Sequence, residues 1–352
     1  MKSFFHSFFF ALLFFSCPLH CGNIKGNHFP EEHGKVKDEF ARSVPSAYYR
    51  AGEDSSFAFS ASYTLWVPYM NGINIANSNN PITPSTSLAA GNMIRPITSA
   101  RSGFQLQAEK YLHYDHWRWC IGYMWFNNQN PLSNHSFKID NHYSSPWIST
   151  PIATLLEASS SFSNQFNSIL GTIDRSLAVT QTFIFTPFAG IIGGWETSSL
   201  NANLQLLDTF DDLQLFTMSN KLYWWCIGPY AGLEFSYRIM NKLSLFLKTA
   251  SSLNLAKTDL YEQQSLLELT TPGSESVPNN HENHLWNIEP MTACQLGMKL
   301  NYKLKDLSLL LDLSWELQTW FHHMGFLSSG NLMGLRGNYS MQGLNASFGI
   351  IF

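Results

Sequence analysis

Charge is scarce in this chain. Only 13% of its 352 residues are Asp, Glu, Lys or Arg, where a water-soluble domain carries about 25%. The net charge of −4 leaves no basic footprint for nucleic acid. Long apolar runs are scarce as well. Beyond the N-terminus, no stretch approaches the ~18 uninterrupted apolar residues of a membrane-crossing helix. Cysteine is sparse: Cys17 and Cys21 fall in or beside the apolar N-terminus, and Cys120, Cys226 and Cys294 remain. An odd set allows at most one intrachain disulfide and leaves a free thiol. Two readings stand for these thiols: small core groups, or an intermolecular disulfide in an oxidising compartment.

Aromatic residues, in contrast, make up 15% of the chain. Few charges, many aromatics and no spanning helix fit a membrane β-barrel, whose outer face meets lipid while alternate residues stay polar. The N-terminus agrees. One Lys and a Phe-rich apolar run from Phe4 to Phe15 read as a secretory signal peptide. The expected organisation is a signal peptide over 1–22, a polar periplasmic arm over 23–55, and a barrel over 56–352.

Period-two alternation carries the barrel reading. At the C-terminus, Leu344, Ala346, Phe348, Ile350 and Phe352 share one face, and Gly343, Asn345, Ser347 and Gly349 the other. Phe348, Ile350 and Phe352 are expected to form a C-terminal assembly signal for barrel-assembly machinery. The same alternation recurs in Phe57–Val67, in Phe104–Glu109 and in the stripe Trp117, Trp119, Ile121, Tyr123, Trp125. It returns near 168–178, 183–197, 221–238, 243–256, 287–304 and 307–318.

These segments number ten, joined alternately by long and short connections. The long ones cover 68–101, 128–165, 200–219, 257–285 and 321–337. The short ones are His113–His116, Val179–Thr182, Ile239–Lys242 and Lys305–Asp306. Outer-membrane barrels place short turns in the periplasm and long loops outside. The expected fold is therefore all-β: a closed antiparallel transmembrane barrel of ten strands, or twelve if 200–219 or 128–165 holds a further hairpin. Trp117/Trp119, Trp224/Trp225 and Trp315/Trp320 are expected in interfacial girdles.

Several segments resemble the Legionella-type major outer membrane protein family, also found in chlamydia-like bacteria. They are Leu65-Trp66-Val67-Pro68-Tyr69, Gly122-Tyr123-Met124-Trp125-Phe126, Pro187-Phe188-Ala189-Gly190, Gly228-Pro229-Tyr230-Ala231-Gly232-Leu233, and Trp315 through Phe321. They recur in order from about residue 57 to 352. The resemblance implies an outer-membrane barrel that conducts small solutes. The family carries a basic residue after its Gly-Pro, where this chain has Tyr230.

The inward faces offer Glu109, Asp174, Glu196, Glu234, Arg238, Lys248, Lys299, Asp312 and Glu316 as pore-lining candidates. Ionisable groups at membrane depth must face water or a partner. Two arrangements are open: acids and bases that pair and plug the lumen, or a wetted channel with charge-set selectivity. The pairs His281/His284, His322/His323 and His113/His116 have no nearby cysteine to complete a zinc set. No Gly-x-Ser-x-Gly or other nucleophile motif appears. The expectation is a porin with neither cofactor nor chemistry, or else a closed structural or adhesive surface barrel. Its expected partners are outer-membrane lipid, the assembly machinery and further copies of itself.

Overall fold

The computed structural model describes residues 57–352, apart from 71–75, 79–91, 95–98, 113–116, 137–142, 145–153, 181, 208–211, 241, 270–276, 305–306 and 329–330. The expected leader over 1–22 and arm over 23–55 lie outside the described residues.

Fourteen strands follow one another: β1 Phe57–Met70, β2 Ala76–Ser78, β3 Asn92–Ile94, β4 Arg101–Tyr111, β5 Trp117–Ser136, β6 Tyr143–Ser144, β7 Thr154–Arg175, β8 Leu177–Ala178, β9 Phe183–Leu207, β10 Leu213–Met240, β11 Leu243–Glu268, β12 Val277–Leu304, β13 Leu307–Ser328 and β14 Asn331–Ile351. Ten of them close a ring of antiparallel neighbours, β1-β4-β5-β7-β9-β10-β11-β12-β13-β14 and back to β1. The short β8 adds to β9, and β2, β3 and β6 form a separate small sheet. Among the described residues no further hairpin enters the ring.

The seam between β1 and β14 is fully paired. Phe57 and Phe352 exchange backbone hydrogen bonds of 2.9 and 3.0 Å, and the rings of Phe59 and Phe352 stack with centroids 5.9 Å apart. Closure leaves no unpaired edge inside a membrane, where an unpaired backbone amide costs several kcal/mol. Phe348 and Phe352 point outward on β14.

The strands are longer than their apolar alternation. β10 and β12 have 28 residues each, whereas a tilted bilayer crossing takes ~9–11. The residues read from sequence as long loops at 200–219 and 128–165 mostly extend β9, β10, β5 and β7. Those at 257–285 extend β11 and β12, and those at 321–337 extend β13 and β14.

The reason is a reversal of polarity along each strand. In the half that holds the start of β1 and the end of β14, the terminal half, outward side chains are apolar, as with Ile121, Ile227, Leu296, Leu313 and Phe348, all exposed. Past the level of Trp225 and Trp286, which meet edge-on at 5.6 Å, the outward residues include Lys221, Asn201 and Asn203 beside Tyr223 and Tyr261. There the inward residues include Leu200, Leu204, Leu222 and Leu260, each 0% exposed, with buried Asn220, Glu262 and Gln264 between them. A strand that leaves lipid for water must turn its apolar side chains inward.

At the terminal end, cations lie over outward or rim aromatics. Lys110 sits 5.2 Å from the Phe57 ring, Arg175 5.9 Å from Trp117 and Lys242 4.4 Å from Tyr302. Such pairs suit the headgroup boundary, with an apolar body and a wetted charge.

Candidate functional site: the barrel lumen

Two structures divide the interior. In the terminal half is a vestibule. Beyond it the lumen is filled.

The vestibule is a cavity of about 180 Å³. Its charges come from inward positions on alternating residues, so the strand period alone presents them. Arg118 on β5 is clamped between two acids: it meets Glu109 Oε2 at 3.0 Å and Asp174 Oδ2 at 2.9 Å. Tyr111 Oη donates to the same Glu109 oxygen at 2.7 Å. Lys299 on β12 pairs with Glu234 on β10, reaching over the intervening β11. Lys248, the register neighbour of Glu234, lies 5.1 Å from the Phe188 ring. Glu316 receives amide hydrogen bonds alone, from Gln105 at 3.0 Å, Gln318 at 2.7 Å and Asn345 at 3.2 Å. Asp312 faces the same cavity.

Above this lies a plug. Trp66, Phe166, Trp320 and Tyr339 are 0% exposed and meet in the lumen. Phe166 stacks on Trp224 at 5.9 Å and tilts against Trp320 at 5.6 Å. Trp224 and Trp320 cross edge-to-face at 5.3 Å and 84°. Gly194 makes room for this cluster, because a Cβ there would stand 3.1 Å from the Trp224 ring. Trp224 and Trp320 are therefore lumen residues and not girdle residues. Their neighbours Trp225 and Trp315 do face outward, as does Trp119. The cause is the strand period: adjacent Trp224 and Trp225 must take opposite faces.

His323 is set into the plug by a bulge. β13 and β14 are in register at Trp320↔Tyr339 and again at Met324↔Gly337, so three residues of β13 oppose one of β14. His322 absorbs the irregularity with φ of 58°, a left-handed conformation uncommon outside glycine. Its N–H donates to Asn338 Oδ1 at 3.1 Å. The extra residues turn His323 inward, where Nε2 meets Glu196 Oε2 at 2.7 Å and Nδ1 meets Glu289 Oε2 at 3.2 Å. A ring protonated on both nitrogens satisfies both carboxylates. Trp224 Nε1 donates to Glu289 at 3.0 Å, and Asn164 and Ser198 donate to Glu196. The His323 ring is edge-on to Trp224 at 4.3 Å and stacked with Tyr339 at 5.4 Å.

The sequence-derived candidates fall in three places. Glu109, Asp174, Glu234, Lys248, Lys299, Asp312 and Glu316 lie in or directly behind the vestibule wall. Glu196 lies in the plug. Arg238 is on the inward face of β10 near its terminal end, where its N–H donates to Thr182 O at 2.8 Å. Cys120 and Cys226 are buried inward, Cys294 is partly exposed on the outward face, and all three are free thiols. Sequence reading does not single out Arg118 or Glu289, and it considers His323 only beside His322 as a metal pair and not as a lumen residue. Arg118 had a signal, since Trp117 and Trp119 outward force residue 118 inward. His323 had none, because its facing depends on the bulge.

Of the other histidines, His113 and His116 lie outside the described residues. His281, His284 and His322 are exposed. His284 Nδ1 lies 2.6 Å from Asp259 on the outward face beyond Trp225. Hydrogen bonds with His284 and Lys257 hold the Asp259 carboxyl below its usual range.

No curated protein sequence matches the chain. Among solved structures it is similar to the outer membrane protease OmpT from Escherichia coli, at 9% identity and a TM-score of 0.40, over 84% of this chain and 96% of that one. It is similar to Ail, the attachment invasion locus protein of Yersinia pestis, at 9% identity and TM-score 0.24, over 84% and 99%. It is also similar to a Pseudomonas aeruginosa FadL homologue, at 8% identity and TM-score 0.29, over 85% and 90%. Residues 50–352 match the Legionella pneumophila major outer membrane protein precursor family, and the chain belongs to that family of outer-membrane proteins.

Proposed function

We propose that this protein is an outer-membrane surface barrel whose lumen is sealed in its outer half, so that it works through its extracellular β-wall and not as an open diffusion pore. The observation that supports this is the plug: Trp66, Phe166, Trp320 and Tyr339 have no exposed surface and meet across the lumen beside His323. A ten-stranded barrel stands nearer the eight-stranded barrels, filled by their own side chains, than the 16–18-stranded open porins. Above the bilayer belt the strands continue as a stiff wall with a polar outer face, a surface that partner molecules would meet first. On this reading lipid surrounds the apolar belt, and the assembly machinery engages β14 through Phe348, Ile350 and Phe352. Liposome swelling with small sugars and amino acids tests it. Folded barrels should leave permeation at the lipid background, and rapid solute-size-dependent swelling would refute the sealed lumen.

A second reading is a gated porin, favoured by the charge-lined vestibule. A filled barrel with no traffic has little use for seven ionisable side chains around a cavity, since each costs desolvation. In that case the plug is the gate, and carboxylates outnumbering cations would favour cations in the current.

A further inference from the structure

We infer that the vestibule is a binding site for a small organic ammonium ion. The argument starts from charge. Five carboxylates, Glu109, Asp174, Glu234, Asp312 and Glu316, stand in or directly behind its wall against three cations, Arg118, Lys248 and Lys299. The ion pairs consume the cations unevenly. Arg118 serves two acids, and Lys299, the direct register neighbour of Asp312, ion-pairs with Glu234. Glu316 is left with neutral amides alone as donors.

The second observation is a set of oxygens with nothing to accept. Asn345 is 3% exposed, lines the cavity, and its Oδ1 has no donor while its Nδ2 is committed to Gln105 and Glu316. Asp312 Oδ1, also buried, has none either. Both residues lie on one wall. Asp312 sits opposite Ser347, and Asn345 opposite Ser314, so the two form a diagonal pair across β13 and β14. Diagonal side chains of this kind stand ~7–8 Å apart, a span that two amino groups on a short aliphatic chain can bridge. Water can fill a polar cavity and satisfy such oxygens, but water does not supply the missing positive charge. Ammonium groups supply both the donors and the charge, with three N–H each. A cavity of about 180 Å³ takes several heavy atoms. Its lining reaches Ala58, Leu310 and Ser347 near the terminal ends of β1, β13 and β14, on the side of the lumen away from the plug.

The test is calorimetric titration of the folded protein in detergent at low salt with putrescine, with the uncharged diol of equal length and potassium chloride as the other arms. Putrescine should bind saturably and the diol should not. Glu316→Gln keeps the shape of the side chain, and Asp312→Asn tests a second position of the same wall. Each should weaken putrescine about tenfold or more, with heat-modifiable migration showing that each variant has folded. No saturable putrescine binding to the folded wild type would overturn the inference. So would affinity unchanged in both folded variants, or potassium binding as tightly as putrescine. The titration does not depend on passage of solute through the lumen, so its failure leaves the sealed lumen standing and is distinguishable from it.

Discussion

The two halves of this barrel obey opposite rules with the same strands. In the terminal half, apolar side chains point out and the interior is polar, because the solvent outside is hydrocarbon. In the outer half, Leu200, Leu204, Leu222 and Leu260 point in and Asn201, Asn203 and Lys221 point out, because the solvent there is water. The backbone and its alternation pass through the boundary unchanged. What the contrast teaches is that the environment, and not the strand, decides which phase of the alternation carries the apolar residues. A consequence is that the outer half can own a packed core, and the plug is the floor of that core.

Substitutions that ignore the boundary should break this contrast most strongly. Trp224→Ala removes the ring that touches Phe166, Trp320 and His323. It should cost about 3–5 kcal/mol of folding stability, read by denaturant titration in detergent or lipid. His323→Ala strands Glu196 and Glu289 as buried carboxylates, with an expected loss of about 3–5 kcal/mol in the same assay. His323→Gln should recover part of it by keeping a hydrogen-bond donor.

A matched pair of arginine substitutions sharpens the boundary itself. Leu313→Arg, outward in the belt, should cost about 2–4 kcal/mol. Asn203→Arg, outward in the water zone, should stay within about 0.5 kcal/mol. Equal costs would mean that the belt ends elsewhere. The smallest effect belongs to the Asp259 cluster. Hydrogen bonds lower that carboxyl, so its contribution is present at neutral pH and fades as the pH falls below about 4. The pairing is partly exposed, and Asp259→Asn should shift stability by no more than about 0.5 kcal/mol.

The sequence made the terminal half legible and obscured the outer half for the same reason. Where Trp117, Trp119 and Ile121 or Leu309, Leu311 and Leu313 repeat, period two names both strand and face, and the ring of ten strands follows. In Ser159–Asn164 or Asn201–Gln205, the outward Ser and Asn residues have the composition of loops, and the apolar phase has switched sides. Those segments therefore read as connections although they are β-paired throughout. Of the candidate charges, the facing of each followed from alternation. Their partners did not. That Lys299 ion-pairs with Glu234 two strands away, or that His323 bridges β9 and β12, depends on barrel curvature and on a bulge that leaves no mark in the residue pattern.

The central claim is that the outer half of the lumen is filled, and single-channel recording in planar bilayers tests it most directly. Folded wild-type protein should insert and give no stable conductance steps, while a folded Trp224→Ala/Trp320→Ala variant should give steps with cation preference. Discrete, long-lived steps from the wild type at low voltage would contradict the account and restore an open pore.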